Sequence, residues 1–140
     1  MAGSKGTTGA LVVDASVWVS AYDPGDAFHG ESALFLARLA EDERAVWAPE
    51  LVLAEVACAV ARRTGHARAG ERAAALLAAY PGLALQPLDG RCLRLAIRLG
   101  CRHALRAADA IYLAVARLHG ARLITWDREM IARAGACPPG

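Results

Sequence analysis

Two kinds of apolar pattern alternate along the chain. Ala10-Leu-Val-Val and Ala45-Val-Trp-Ala48 are short, unbroken apolar runs of the length of buried strands, and Leu83-Ala-Leu-Gln86 and Arg122-Leu-Ile-Thr125 are equally short with polar residues at their ends. Longer stretches between them repeat apolar residues at helical spacing. They predict helices from Ser16 to about Ala21, His29 to Asp42, Pro49 to about Arg63, Ala67 to Ala79, Asp89 to about Gly100, Arg106 to His119 and Arg128 to Ala134. Ser16, Asp89 and Asp127 are expected to cap helix starts, Pro49 to occupy a first turn, and Gly65, Gly100 and Gly120 to mark helix ends. Tyr22-Asp-Pro-Gly-Asp26 reads as a turn. In the helix over 29–42, Leu34, Phe35 and Leu39, with Leu36, are assigned the inward face.

Strands alternating with helices imply an α/β fold, a mostly parallel central sheet covered on both faces. Such sheets place their sites outside the carboxyl ends of the strands. With 140 residues the chain makes one domain. The fold is expected over residues 10–134, between a Gly/Ser/Thr-rich flexible tail at 1–9 and a Pro/Gly tail at 135–140.

Against that frame, four acids stand out. Asp14 ends the first strand, and Asp127 follows Leu123-Ile-Thr-Trp at the end of the fourth. Glu55 lies among Leu51, Val52, Leu53, Val56 and Ala57, and Asp109 among Ala107, Ala108, Ala110 and Ile111. A lone charge in such surroundings costs several kcal/mol unless it is paired or bound to a cation. Each acid has a structural role open to it: Asp14 and Asp127 as helix caps, Asp109 answering a helix dipole, Glu55 pairing with an arginine. Four acids converging would repel one another, and an oxygen-only set of this kind suits Mg2+ or Mn2+. Ser16 and Thr125 each lie two residues from one of the aspartates and offer neutral oxygens.

The rest of the composition narrows the class. At 56% hydrophobic and 21% charged residues the chain is globular, and it needs no disulfide to fold. The four cysteines have no C-x-x-C pairing or zinc-finger spacing, which fits reduced thiols in the cytoplasm. The longest apolar stretch, Ala45 to Ala61, contains Pro49, Glu50 and Glu55, so no membrane span is expected. Residues 1–48 carry a net charge of −4 and residues 49–140 one of +6, an asymmetry that would suit a polyanion approaching an acidic pocket. Arg91, Arg94, Arg98, Arg102 and Arg106 follow helical spacing, as a solvated face or a phosphate-contacting one. Arg106, just before Asp109, is the best placed for an RNA phosphate. Trp18, Trp47 and Trp126 read as packing residues, with Trp126 set apart by its neighbour Asp127. No G-x-G-x-x-G follows the first strand, no G-x-S-x-G elbow is present, and Lys5 is the only lysine. Rossmann, serine-hydrolase and lysine-assisted phosphotransfer chemistry are thereby disfavoured.

Val13-Asp-Ala-Ser16, the Glu55 helix, Leu105-Arg-Ala-Ala-Asp-Ala-Ile-Tyr-Leu-Ala114 and Leu123-Ile-Thr-Trp-Asp-Arg128 together resemble the successive motifs of the PIN-domain family, in particular VapC-type toxins of VapBC toxin–antitoxin modules. The resemblance runs from about Ala10 to Ala134. It implies a three-layer α/β/α sandwich with a sheet of four to five strands. It also implies a Mg2+-dependent endoribonuclease with Asp14, Glu55, Asp109 and Asp127 as its acidic metal site and Ser16 and Thr125 as supporting hydroxyls. An RNA substrate, a small cognate antitoxin and a homodimer are implied as partners. The apolar faces near Leu34–Leu39 and Val52–Val60 are then candidates for docking. Two features depart from the family pattern: Cys58 stands where such toxins often have Asn, and Gly135 to Gly140 replaces a final edge strand. The competing reading is a catalytically silent PIN-like module that binds RNA or protein.

Overall fold

The computed structural model describes residues 9–140; the expected tail at 1–9 lies, except for Gly9, outside the described residues. The elements run β1 (Leu11–Val13), α1 (Ala15–Tyr22), α2 (His29–Glu41), β2 (Val46–Pro49), α3 (Val52–Thr64), α4 (Ala67–Ala78), β3 (Leu83–Gln86), α5 (Gly90–His103), α6 (Ala107–Leu118), β4 (Arg122–Ile124) and α7 (Arg128–Ala134). The four strands form one parallel sheet in the order β3-β2-β1-β4, flanked by helices as an α/β/α sandwich. Leu11 lies opposite Val46 on one side and Arg122 on the other, and Val13 opposite Ile124. From β1 the chain builds outward to β2 and β3, then returns to add β4 on the opposite side of β1. The strand order therefore reverses between β1 and β4, and a crevice opens at their carboxyl ends.

The core gathers on this sheet. Val12, Val13, Val46, Ala48, Val52, Val56, Leu77, Val115 and Met130 are among its fully or nearly fully buried members. Val52, Val56 and Val60 face inward along α3, so that stripe is part of the protein's own core and is not free for docking. Helix α3 crosses α4 closely because α4 carries Gly70: a Cβ there would sit 2.3 Å from the carbonyl oxygen of Ala57.

Several boundaries depart from the sequence expectation, each for a local reason. Pro49 ends β2 opposite Gln86 instead of opening a helix. Its missing N–H faces the β1 side, beyond the last β1–β2 pair, while Glu50 N–H donates to Gln86 on the β3 side at 3.0 Å. Gly100 does not end α5, which continues to His103 and closes on Ala104 in the left-handed region at φ 55. Gly100 instead admits α6, since a Cβ there would lie 3.0 Å from the Ala110 Cβ. Leu34 is 52% exposed, because the buried face of α2 runs through Ser32, Leu36 and Leu39. Residues 136–137 do not hang free: Ala136 is buried and Cys137 forms a parallel bridge with Ile124.

Trp18 is fully buried, donates its Nε1–H to the Val13 carbonyl at 3.0 Å, packs edge-on against Tyr80 and stacks with Tyr22. Burial pushes the hydroxyls of Tyr22 and Tyr80 up to about 12, and pushes Tyr112 well above the ordinary range. These are all three tyrosines of the chain. Above pH 10 the unfolded chain releases phenol protons that the folded chain keeps, so the unfolded state binds fewer protons and stability falls as pH rises through that window. Phenolate absorbance is expected to stay flat through pH 10 and then appear in one step with loss of the helical circular-dichroism signal. A tyrosine titrating near its ordinary value while the helices remain intact would contradict this packing.

Candidate active site

The β1–β4 crevice is built from short chain segments whose side chains bind one another. Asp14 follows the last residue of β1 and is only 7% exposed. It, and not Ser16, caps α1: its Oδ2 accepts the backbone N–H of Ser16 at 3.3 Å. The hydroxyl of Ser16 is thereby left for other work. Thr125, fully buried just past β4, donates its hydroxyl proton to Asp14 Oδ2 at 2.8 Å. Because that proton is committed, Thr125 Oγ1 acts as acceptor for the Asp127 N–H at 3.0 Å and for Ser16 Oγ, 3.2 Å away. Ser16 Oγ in turn accepts the N–H of Trp126 at 3.1 Å. A directed chain of hydrogen bonds, Ser16 to Thr125 to Asp14, thus stitches the two strand ends together.

Asp127 caps α7 through Oδ1, which accepts from Glu129 at 2.8 Å and Met130 at 3.4 Å. Glu55 sits in the first turn of α3 and Asp109 in the first turn of α6. Glu55 Oε1 accepts the hydroxyl proton of Tyr112 at 2.7 Å. Tyr112 is almost fully buried one turn after Asp109, so a single face of α6 supplies both an acid and the clamp on another acid.

The electrostatics tie the four acids into one site. Burial pushes Glu55 above the usual carboxylate range; the Tyr112 hydrogen bond opposes this, and the charges of Asp14 and Asp109 add to it. Asp109 is also raised, first by burial and then by Asp14 and Asp127, against a pull downward from Arg106. Asp14 therefore acts on Glu55, Asp109 and Tyr112 together. Among the described residues no three of His, Cys, Asp and Glu are drawn tightly enough to form a ready-made metal cage. The donor chemistry still fits a hard cation: all oxygen, mutually repelling, and open enough for the waters that Mg2+ retains.

All four acids, Ser16 and Thr125 are thus brought to one crevice, with Arg106 at its edge as the residue before α6. Sequence reasoning passed over Tyr112 as a site residue, although its i+3 spacing from Asp109 was a usable signal. It also passed over Ser32, which carries no such signal. Cys58, one turn after Glu55, is exposed and lines an open groove with Ser16, Glu55, Arg62 and Arg63.

A family model described as PIN domain matches residues 11–136, which spans every element from β1 to the Cys137 bridge save the bridge residue itself. The chain belongs to the PIN-domain family. Among solved structures, this PIN domain is similar to Mycobacterium tuberculosis VapC20, a sarcin–ricin loop cleaving toxin. The identity is 29%, the TM-score 0.73, and the match covers 90% of this chain and 95% of that one. It also shares its fold with VapBC2 from Rickettsia felis, solved bound to a promoter DNA fragment (13% identity, TM-score 0.70, covering 92% and 96%). A toxin–antitoxin complex from Klebsiella pneumoniae has the same fold (19% identity, TM-score 0.65, covering 93% and 98%). No curated protein sequence gives a significant match. No helix among the described residues is long and apolar enough to cross a membrane.

Proposed function

We propose that this PIN domain is a metal-dependent endoribonuclease and the toxin of a toxin–antitoxin pair, working in the cytoplasm. The observation that carries the reading is the shared field of Asp14, Glu55, Asp109 and Asp127 at the β1–β4 switch point. A binding module gains nothing from holding repelling carboxylates together in a half-buried crevice. The similarity to a toxin that cleaves the sarcin–ricin loop supports RNA as the substrate class.

On this reading Asp14, Asp109, Glu55 and Asp127 would hold Mg2+, with Mn2+ as a substitute. When bound there, the cation would supply an acidified water and neutralise charge on the phosphate. The chain's own contribution is positional. Thr125 and Ser16 fix the Asp14 carboxylate, the α7 cap fixes Asp127, and Tyr112 fixes Glu55. Arg106 holds a positive charge beside Asp109, and on this reading it would meet an RNA phosphate. A small antitoxin covering the groove that Glu55 shares with Arg62 and Arg63 would silence the site, and a homodimer is the expected assembly.

The test is cleavage of a mixed structured-RNA pool by the protein free of any antitoxin, with Mg2+, with Mn2+ and with EDTA, beside an Asp109→Asn variant checked for folding. Cutting that needs the metal and is lost in the variant is the expected result. No cutting, or cutting indifferent to both EDTA and the substitution, would favour the silent binding module.

A further inference from the structure

Phe28 is 40% exposed, yet both its ring and its backbone are held by neighbours. Its ring lies parallel to that of Trp126, with centroids 4.0 Å apart and planes 11° from coplanar. Trp126 cannot drift. Its backbone N–H is held by Ser16, and its indole N–H donates to Ser32 Oγ at 2.8 Å. Ser32 is fully buried and paired with Ser20 at 2.6 Å. Phe28 is fixed from the other side: its N–H donates to Asp26 Oδ1 at 2.8 Å, and Arg63 holds Asp26 by an ion pair of 2.5 Å. The Phe28 carbonyl accepts the N–H of Ser32 at 2.9 Å. Trp126 covers one face of the ring, so a ligand can reach Phe28 only from its other face and rim.

We propose that the outer face of Phe28 is a stacking platform for an unpaired nucleobase of the RNA, a subsite beside the acids that resting on the nuclease reading would hold the strand for cutting. Three observations converge on it. The platform is rigid before any ligand arrives, so little ordering entropy is lost on stacking. It is joined to the acids by covalent and hydrogen-bonded neighbours, since Trp126 precedes Asp127 and shares Ser16 with Thr125 and Asp14. The turn before it carries Asp23 and Asp26, whose carboxylate oxygens can accept from the amino groups of a base. Arg63, from α3, is engaged by Asp23 and Asp26 at 3.5 and 2.5 Å, so the subsite would hold a base by stacking and not a phosphate by charge. Stacking accepts any base, so this subsite would fix strand position and leave sequence choice to other contacts.

The test uses the full chain carrying Asp14→Asn, so that RNA is bound without being cut. It is mixed with single-stranded RNA of random sequence containing 5-iodouridine, irradiated, and mapped by peptide mass spectrometry, with affinity measured in parallel. An adduct on the peptide containing Phe28 is expected. Phe28→Leu should lose the adduct and weaken binding by roughly 5- to 150-fold, and Phe28→Tyr should restore both. Unchanged affinity in a folded Phe28→Leu variant overturns the platform. Cleavage by the protein with Asp14 intact is measured beside it. Cutting with Phe28-independent binding sinks the platform alone. A Phe28-dependent adduct without cutting sinks the nuclease and leaves the platform standing. Absence of any RNA binding overturns both.

Discussion

Asp14→Asn is expected to cut RNA at least about a hundredfold more slowly than the parent while melting at the same temperature or higher. The activity loss follows from removing a charge at the centre of the acidic field, on the scale seen when one stabilising group is taken from a preorganised site. The preserved stability follows from what asparagine keeps. Its side-chain oxygen can still cap α1 and accept from Thr125, and Asn caps helices as well as Asp does. What it removes is the Asp14 charge that adds to burial in raising Glu55 and Asp109. Initial cleavage rates and thermal melts of the two proteins, measured side by side, decide the point. A variant that cuts at the parent's rate would place the chemistry elsewhere. One that melts well below it would make Asp14 a structural cap first.

Trp18→Ala is expected to cost about 3–5 kcal/mol, a large part of the 5–15 kcal/mol that holds a domain of this size together. The indole contributes full burial, an edge-on contact with Tyr80, stacking on Tyr22 and a hydrogen bond to the Val13 carbonyl. That last bond reaches the residue before Asp14, so a folded remnant should also cut more slowly. Urea unfolding measures the first effect. A loss under about 1 kcal/mol would mean that the cavity collapses and the core is not organised around this ring.

The fold was legible because its signals were local and agreed with one another. Short apolar runs, a capping Asp89, and Gly65 at φ 73 each marked an element where the chain places it. The acids were legible because charge inside an apolar run is conspicuous. Harder to read were positions where tertiary contact outweighed the local signal. Leu34 looked inward-facing, but Ser32 holds that place, satisfied by Ser20 and Trp126 from distant parts of the chain. Gly100 looked like a helix end, but its lack of a side chain serves contact with Ala110. Ser16 looked like a cap, but Asp14 fills that role and leaves the Ser16 hydroxyl to span β1 and β4. In each case a small or polar residue has a partner far away in sequence, and composition and periodicity carry no record of it.

The bridge between Cys137 and Ile124 has a consequence for how the sheet meets its surroundings. Strand β4 lies at one border of the sheet, and Cys137 takes up two of its outward groups, with the Cys137 N–H on the Leu123 carbonyl and the Thr125 N–H on the Cys137 carbonyl. Pro138 and Pro139 come next, and neither has an N–H to offer. A foreign strand approaching that border meets a row already occupied and then a stretch that cannot extend it. The other border, β3, carries no such cover from this segment. Unwanted sheet growth between molecules should therefore be disfavoured at the β4 border, which makes β3 the border to guard when the protein is concentrated.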